Sequence, residues 1–192
     1  MFFQECGHQL NSDVFYKKNT FSIIWRTYVY YNIKDEIIMD LYDNFIELLS
    51  ALEKEEVDYC LIGGFAIVLY GSKRTTQDLD IFIRDTEENI SKLQIALASL
   101  YNDESIKEIT KNELIEYSVI RYGTTKDFSV DFIAHLGTAF SIDDIVIQEI
   151  NIENTLIKIA SLESLYRLKE KTYRAIDQED LLFLRKIMRE GQ

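Results

Sequence analysis

A chain of 192 residues, 47% hydrophobic and 28% charged, is long enough to bury a full core and too apolar for a disordered polymer. Its formal net charge of −12 argues against gripping nucleic acid with the whole surface, because phosphate contacts need Lys and Arg; a local basic patch stays open. With Cys6, Cys60, His8 and His135 as its complete set of thiols and imidazoles, it has no histidine-rich or paired-cysteine zinc site, so any metal here is a hard cation on oxygen ligands.

Residues 1–10 lack a basic start followed by an apolar block, so no secretory signal is expected. No apolar run approaches the ~20 residues of a membrane span, and cytoplasm is the expected compartment. There is no proline, no repeat and no low-complexity tract to mark a linker. The organisation expected is an extension over 1–38, a core over 39–160 and closing helices over 161–192. The extension is crowded with aromatic and β-branched residues (Phe21, Ile23, Ile24, Trp25, Tyr28, Val29, Tyr30, Tyr31) without a clear period.

The helical period begins after it. Over 40–55, Leu41, Phe45, Leu48, Leu49 and Leu52 recur at three- and four-residue intervals, which predicts an amphipathic helix. Residues 57–62 form a short apolar run ending at Gly63 and Gly64, a buried strand that also holds Cys60 as a buried thiol. A helix over 65–70 should open directly from the glycine pair. Residues 78–83 alternate carboxylate and apolar side chains, the period of a strand. Thr86 then caps a helix to Leu100, with Glu87 and Glu88 in its first turn. Strands over 115–122 and 128–134, joined by a turn at 123–126, predict a hairpin. Shorter strands are expected at 146–152 and 156–159. Two helices close the chain, 162–173 capped by Ser161 and 178–190 capped by Asp177. Early alternation of strands and helices followed by a helical pair gives an α/β or α+β fold with a mixed sheet.

The chemistry is carried by aspartates. On a strand, Asp78 and Asp80 share one face while Leu79, Ile81 and Ile83 take the other. Two like charges this close are costly without a cation between them. Asp131 repeats the device between Val130 and Phe132; if its strand neighbours the first, three carboxylates converge. Such a set suits Mg²⁺ or Mn²⁺, which favour oxygen ligands and share phosphate oxygens readily. The competing reading is a solvated strand face, acidic for solubility alone. Gly63 and Gly64 likewise admit two readings, a tight strand-to-helix turn or backbone N–H groups left bare for a phosphate. One site accommodates both signals.

The order Ile62-Gly63-Gly64, an interval, then Asp78-Leu79-Asp80-Ile81 resembles the signature of the DNA polymerase β-like nucleotidyltransferase superfamily. Within it, Gly63, Gly64 and Ala66 followed by Arg74, Thr76, Asp78 and Asp80 look like the minimal bacterial branch related to abortive-infection and toxin–antitoxin nucleotidyltransferases. The third family carboxylate falls on Asp131, and the closing segment around Leu168-Lys169, Arg174 and Asp177 to Leu181 is similar to the branch's last helices. The resemblance covers about 39–188. One departure is Gly64, where many relatives carry Ser, which removes a hydroxyl from the phosphate site.

The resemblance implies a mixed-sheet nucleotidyltransferase fold with flanking helices, and a catalytic and metal-binding triad of Asp78, Asp80 and Asp131. It implies an NTP lying over Gly63 and Gly64, with Lys73, Arg74, Thr76 and Lys169 as further nucleotide-binding candidates. Lys73 and Arg74 read equally as a solvated turn, and Lys169 as an exposed face of a locally basic helix. Asp177 and Asp180 read as partners of Arg174 and caps of the last helix. His135 reads as a surface residue, and Tyr59 and Phe65 either as core or as flanks for a base. The activity implied is transfer of an NMP from an NTP to an acceptor: RNA or protein if the chain is a toxin, with an antitoxin as its partner, or a small molecule such as an antibiotic. A non-catalytic nucleotide-binding module and a metal-dependent phosphohydrolase are the rivals.

Overall fold

The computed structural model describes residues 36–137 and 140–190, with side chains from residue 41 onward. The aromatic-rich segment before residue 36, with Cys6 and His8, lies outside the described residues.

Helix α1 (Glu36–Lys54) starts a turn earlier than its apolar period shows and buries Tyr42, Phe45, Leu48, Leu49 and Leu52. Strand β1 (Tyr59–Ile62) is buried on both faces and runs directly into α2 (Gly63–Leu69). Next come β2 (Asp78–Ile83) and α3 (Glu87–Leu100), the latter capped by the Thr86 side chain, which accepts from the Asn89 N–H. After a 3-10 turn, α4 (Lys111–Tyr117) leads into the hairpin β3 (Val119–Gly123) and β4 (Ser129–Ile133). A two-stranded ribbon, β5 (His135–Leu136) with β6 (Phe140–Ser141), precedes the long hairpin β7 (Ile147–Ile152) and β8 (Thr155–Ala160). Helices α5 (Leu162–Lys169) and α6 (Ala175–Glu190) pack on each other at the end of the described chain.

The main sheet has the order β3-β4-β2-β1-β8-β7. Pairs β2/β4 and β1/β8 are parallel and the others antiparallel, so the sheet is mixed, as expected. Helix α1 packs on α3 and on β8, giving the sheet a helical cover. Phe45 of α1 packs edge-on to Phe65 and Phe128. Phe65 and the fully buried Tyr59 therefore belong to the core and are not free to flank a base. Cys60 is a buried free thiol, its pKa pushed up to about 12 by burial.

Three expectations need correction. The strand predicted over 115–122 is a helix as far as Tyr117: the Thr110 hydroxyl accepts from the Glu113 N–H, a helix start that the alternating apolar residues concealed, and Ser118 at φ 62° turns the chain out into β3. The first closing helix ends at Lys169, short of Tyr173. The last helix begins at Ala175, so Asp177 lies inside its first turn and is not the cap; its side chain is wholly buried on partners described below.

Candidate active site

The register of the parallel pair decides the geometry. Asp78 lies opposite Ser129 and Asp80 opposite Asp131, and side chains at paired positions of neighbouring strands project to the same face. Asp80 also faces Ile62, the last residue of β1, across the antiparallel pair. The turn into α2 therefore falls against the Asp80 carboxylate. Gly63 takes φ +68°, in the left-handed region. A Cβ added there would lie 1.9 Å from Asp80 Oδ2, so the carboxylate fills the space that glycine leaves. The Gly64 N–H points at the same oxygen at 3.4 Å. A Cβ at Gly64 would come within 2.8 Å of the Thr76 hydroxyl and 3.0 Å of an Arg74 guanidinium nitrogen, so both side chains close over the glycine pair.

Thr76 in turn orients Asp78, its hydroxyl donating to Oδ1 at 2.9 Å. Asp131 is buried and both its oxygens accept from Arg121, Nε to Oδ1 and Nη2 to Oδ2, each at 2.7 Å. The same Arg121 nitrogen stands 3.9 Å from Asp78 Oδ2. Burial and the charge of Asp78 push the Asp80 carboxyl above its ordinary range, with Asp131 adding to the shift; the Gly64 N–H and the Lys169 charge oppose it. The Asp131 hydrogen bonds raise the Arg121 guanidinium further above an already high value.

Arg74 links the glycine turn to a second charged cluster. Arg74 Nη1 meets Asp180 Oδ2 at 2.5 Å, and Lys169 Nζ lies 2.6 Å from Asp177 Oδ1 and 3.0 Å from Asp180 Oδ2. Arg174 completes it, its Nε donating to Asp177 Oδ2 at 2.6 Å. Asp177 pairs with Arg174 as the sequence suggests, whereas Asp180 reaches Arg74, 106 positions away. Lys169 is buried between two carboxylates and does not stand on an exposed helix face. Burial by itself would raise the Asp177 carboxyl, yet hydrogen bonds from Arg174, Lys169 and Thr172 outweigh it and hold the pKa at about 2.

Among the named candidates, then, Asp78, Asp80, Asp131, Gly63, Gly64, Arg74 and Thr76 come together at one end of β1, β2 and β4, and Lys169 is joined to Arg74 through Asp180. Lys73 is exposed on the adjoining loop. His135 lies away from this face, half-exposed, with Nε2 3.5 Å from Asp85. Sequence reasoning missed Arg121. Its signal was the hairpin register, in which Thr124 closes on Phe128 and Arg121 pairs with Asp131.

A divalent cation fits the chemistry of this donor set, which is all oxygen and carries an excess of negative charge around Asp80. Among the described residues, no group of three or more His, Cys, Asp or Glu side chains is arranged to hold a metal ion as it stands. Both Asp131 oxygens are committed to Arg121, which leaves Asp78 and Asp80 as the immediate donors. Magnesium sites of one or two carboxylates completed by substrate phosphates are common.

This arrangement, a mixed sheet with acidic residues on neighbouring central strands and a closing helical pair, is a nucleotidyltransferase fold. A lincosamide antibiotic adenylyltransferase, LnuA, solved with lincomycin bound, shares it at TM-score 0.50 and 18% identity, over 71% of this chain and 90% of that one. ANT(2")-Ia in complex with adenylyl-2"-tobramycin matches at TM-score 0.48 and 13% identity, over 76% of this chain and 88% of its own. An antigenic nucleotidyltransferase-like protein from Paracoccidioides brasiliensis gives TM-score 0.48 and 16% identity, over 76% and 75% of the two chains. No curated protein sequence matches the chain. Residues 41–192 match the family described as nucleotidyl transferase of unknown function (DUF2204), and the chain belongs to that family. It is an enzyme of the nucleotidyl transferase class.

Proposed function

We propose that the chain transfers an NMP from an NTP to a hydroxyl of its acceptor, at a site formed by Asp78, Asp80 and Asp131 with the Gly63-Gly64 turn. The observation that carries this reading is the placement of Asp80 directly opposite Asp131 on parallel strands, with its carboxylate packed against Gly63. Divalent ions, Mg²⁺ or Mn²⁺, held by Asp78 and Asp80 and joined by Asp131, would neutralise the triphosphate and favour ionisation of the attacking hydroxyl. The residues of the chain do the rest by position. Gly63 and Gly64, lacking side chains, let the Asp80 carboxylate and the Thr76 and Arg74 side chains gather closely at the start of α2, where the phosphates are proposed to bind. Arg74, held over that turn by Asp180, and Lys73 on the same loop supply positive charge to the phosphates, with Lys169 contributing from beside Asp180. Thr76 fixes Asp78. Asp131 takes the proton of the acceptor hydroxyl as its oxygen bonds to the α-phosphorus; the bond from that phosphorus to the β-phosphate oxygen breaks, and pyrophosphate leaves.

The net charge of −12 favours an acceptor that is not itself a polyanion, a protein hydroxyl or a small molecule, over RNA. A toxin role with an antitoxin partner rests on the motif resemblance alone. Among the described residues no helix is long and apolar enough to cross a membrane.

The test is transfer of label from α-³²P NTPs to candidate acceptors with Mg²⁺ or Mn²⁺. Asp80→Asn, near-isosteric, should lower transfer by about 10²–10³, the range for removing one preorganised charge-stabilising group. Transfer that survives Asp80→Asn intact would sink the reading. Release of inorganic phosphate in place of pyrophosphate would move the chain to the phosphohydrolases.

A further inference from the structure

Arg121 has no place in the reading from sequence, yet it makes the closest polar contacts on the acidic face. It stands on β3, the edge strand of the sheet, with its Cα paired to that of Asp131. Its guanidinium engages both Asp131 oxygens at 2.7 Å and lies 3.9 Å from Asp78. The side chain is 63% exposed, whereas that of Asp131 is 13% exposed. The planar fork is thus reached from solvent while its carboxylate partner is not. A pair of this geometry is well formed but, being open on the arginine side, weakly held. Nothing in the core ties the guanidinium down.

We infer that Arg121 is a positioning residue that acts as a resident counter-cation for the three-carboxylate face. It holds Asp131 through both carboxylate oxygens in the absence of metal, and gives the carboxylate up when metal and nucleotide arrive together. The inference rests on the metal-dependent reading proposed above. It follows from charge and space: three carboxylates on one face need a cation, and the two oxygens a metal would recruit from Asp131 are those the guanidinium already occupies. Metal alone therefore competes with an arginine, while the metal–triphosphate complex brings enough additional interaction to displace it. On release, Arg121 remains beside Asp131, on the side of the sheet opposite β1 and its glycine turn.

The full-length protein answers this through Mn²⁺ binding followed by the electron paramagnetic resonance signal of the free ion, with and without a non-hydrolysable NTP analogue. Arg121→Gln should tighten Mn²⁺ binding without nucleotide by about fivefold, the factor that corresponds to breaking one exposed ion pair. The gain in Mn²⁺ affinity caused by the nucleotide analogue should shrink by the same factor. Arg121→Lys, which keeps the charge but loses the fork, should fall between the two. Circular dichroism separates folding from binding in each variant. Mn²⁺ binding unchanged or weaker in a folded Arg121→Gln protein would overturn the inference and leave Arg121 as a clip between β3 and β4. If neither wild type nor variant binds Mn²⁺ even with the analogue present, the metal-dependent reading falls as well.

Discussion

At Gly63 two independent constraints meet. The backbone is left-handed, and the Cβ position is taken by the Asp80 carboxylate. Either alone would tolerate a modest adjustment; together they forbid a side chain. Gly63→Ala should cost about 1–3 kcal/mol in backbone strain and also push Asp80 off its place opposite Asp131. The expected result is a lower thermal midpoint together with loss of nucleotide transfer. A variant with wild-type midpoint and activity would show that the turn relaxes freely. The sequence motif made this glycine legible, because a Gly pair between a buried strand and a helix is a local pattern. Arg121 was not legible in the same way. The turn expected at 123–126 implies a hairpin but sets no register; the observed loop extends through Asp127 at φ 59°, and Arg121 lies opposite Asp131. A one-residue change in loop length changes every pairing across a hairpin, and apolar alternation alone does not report that length.

The closing helices are tied to the loop before β2 by charge as well as by packing. Arg74 before β2, Lys169 at the end of α5, and Arg174, Asp177 and Asp180 at the start of α6 form one chain of ion pairs, three cations against two carboxylates. Burial makes such a network costly to assemble and costlier to break, which suits a device for fixing Arg74 more than one for adding stability. Its pH dependence follows from Asp177. The folded carboxyl is held at about 2 against an unfolded value of about 3.9, so the pair stabilises the fold fully above the unfolded value. That contribution, roughly 2–3 kcal/mol, disappears as the pH falls through the window from about 4 to about 2. Urea midpoints measured between pH 5 and pH 2 should decline across this window, and the decline should be shallower in Asp177→Asn. An identical slope in the two proteins would place the acid sensitivity elsewhere. Helix α4 teaches the complementary lesson about elements: Thr110 caps it, while Ile115, Tyr117 and Val119 alternate as the residues of a strand would. Ile115 and Tyr117 are largely exposed, so their apolarity reported no buried strand face.

Across the whole molecule, the described fold stands on contacts that begin with Tyr42 and Phe45 of α1 and reach Leu181 and Leu184 of α6. The family match begins at residue 41 and the apolar helical period at Leu41, and on that ground we propose that a chain starting at Met39 folds. Its urea unfolding should remain cooperative and its nucleotide binding should match the full chain within about twofold, a change below ~0.5 kcal/mol. Aggregation or loss of cooperativity in the shortened chain would make residues 1–38 part of the core. The amino-acid sequence alone determined the strand–glycine–helix turn, the alternating aspartates and the amphipathic helices, because each is written within a few residues as a periodicity or a conformational demand. Only the tertiary structure decided that Asp131 stands beside Asp80, that Arg121 occupies it, and that Asp180 holds Arg74. Those neighbours are set by strand register and by helix packing across 51, 10 and 106 positions of chain, distances over which no local pattern carries information.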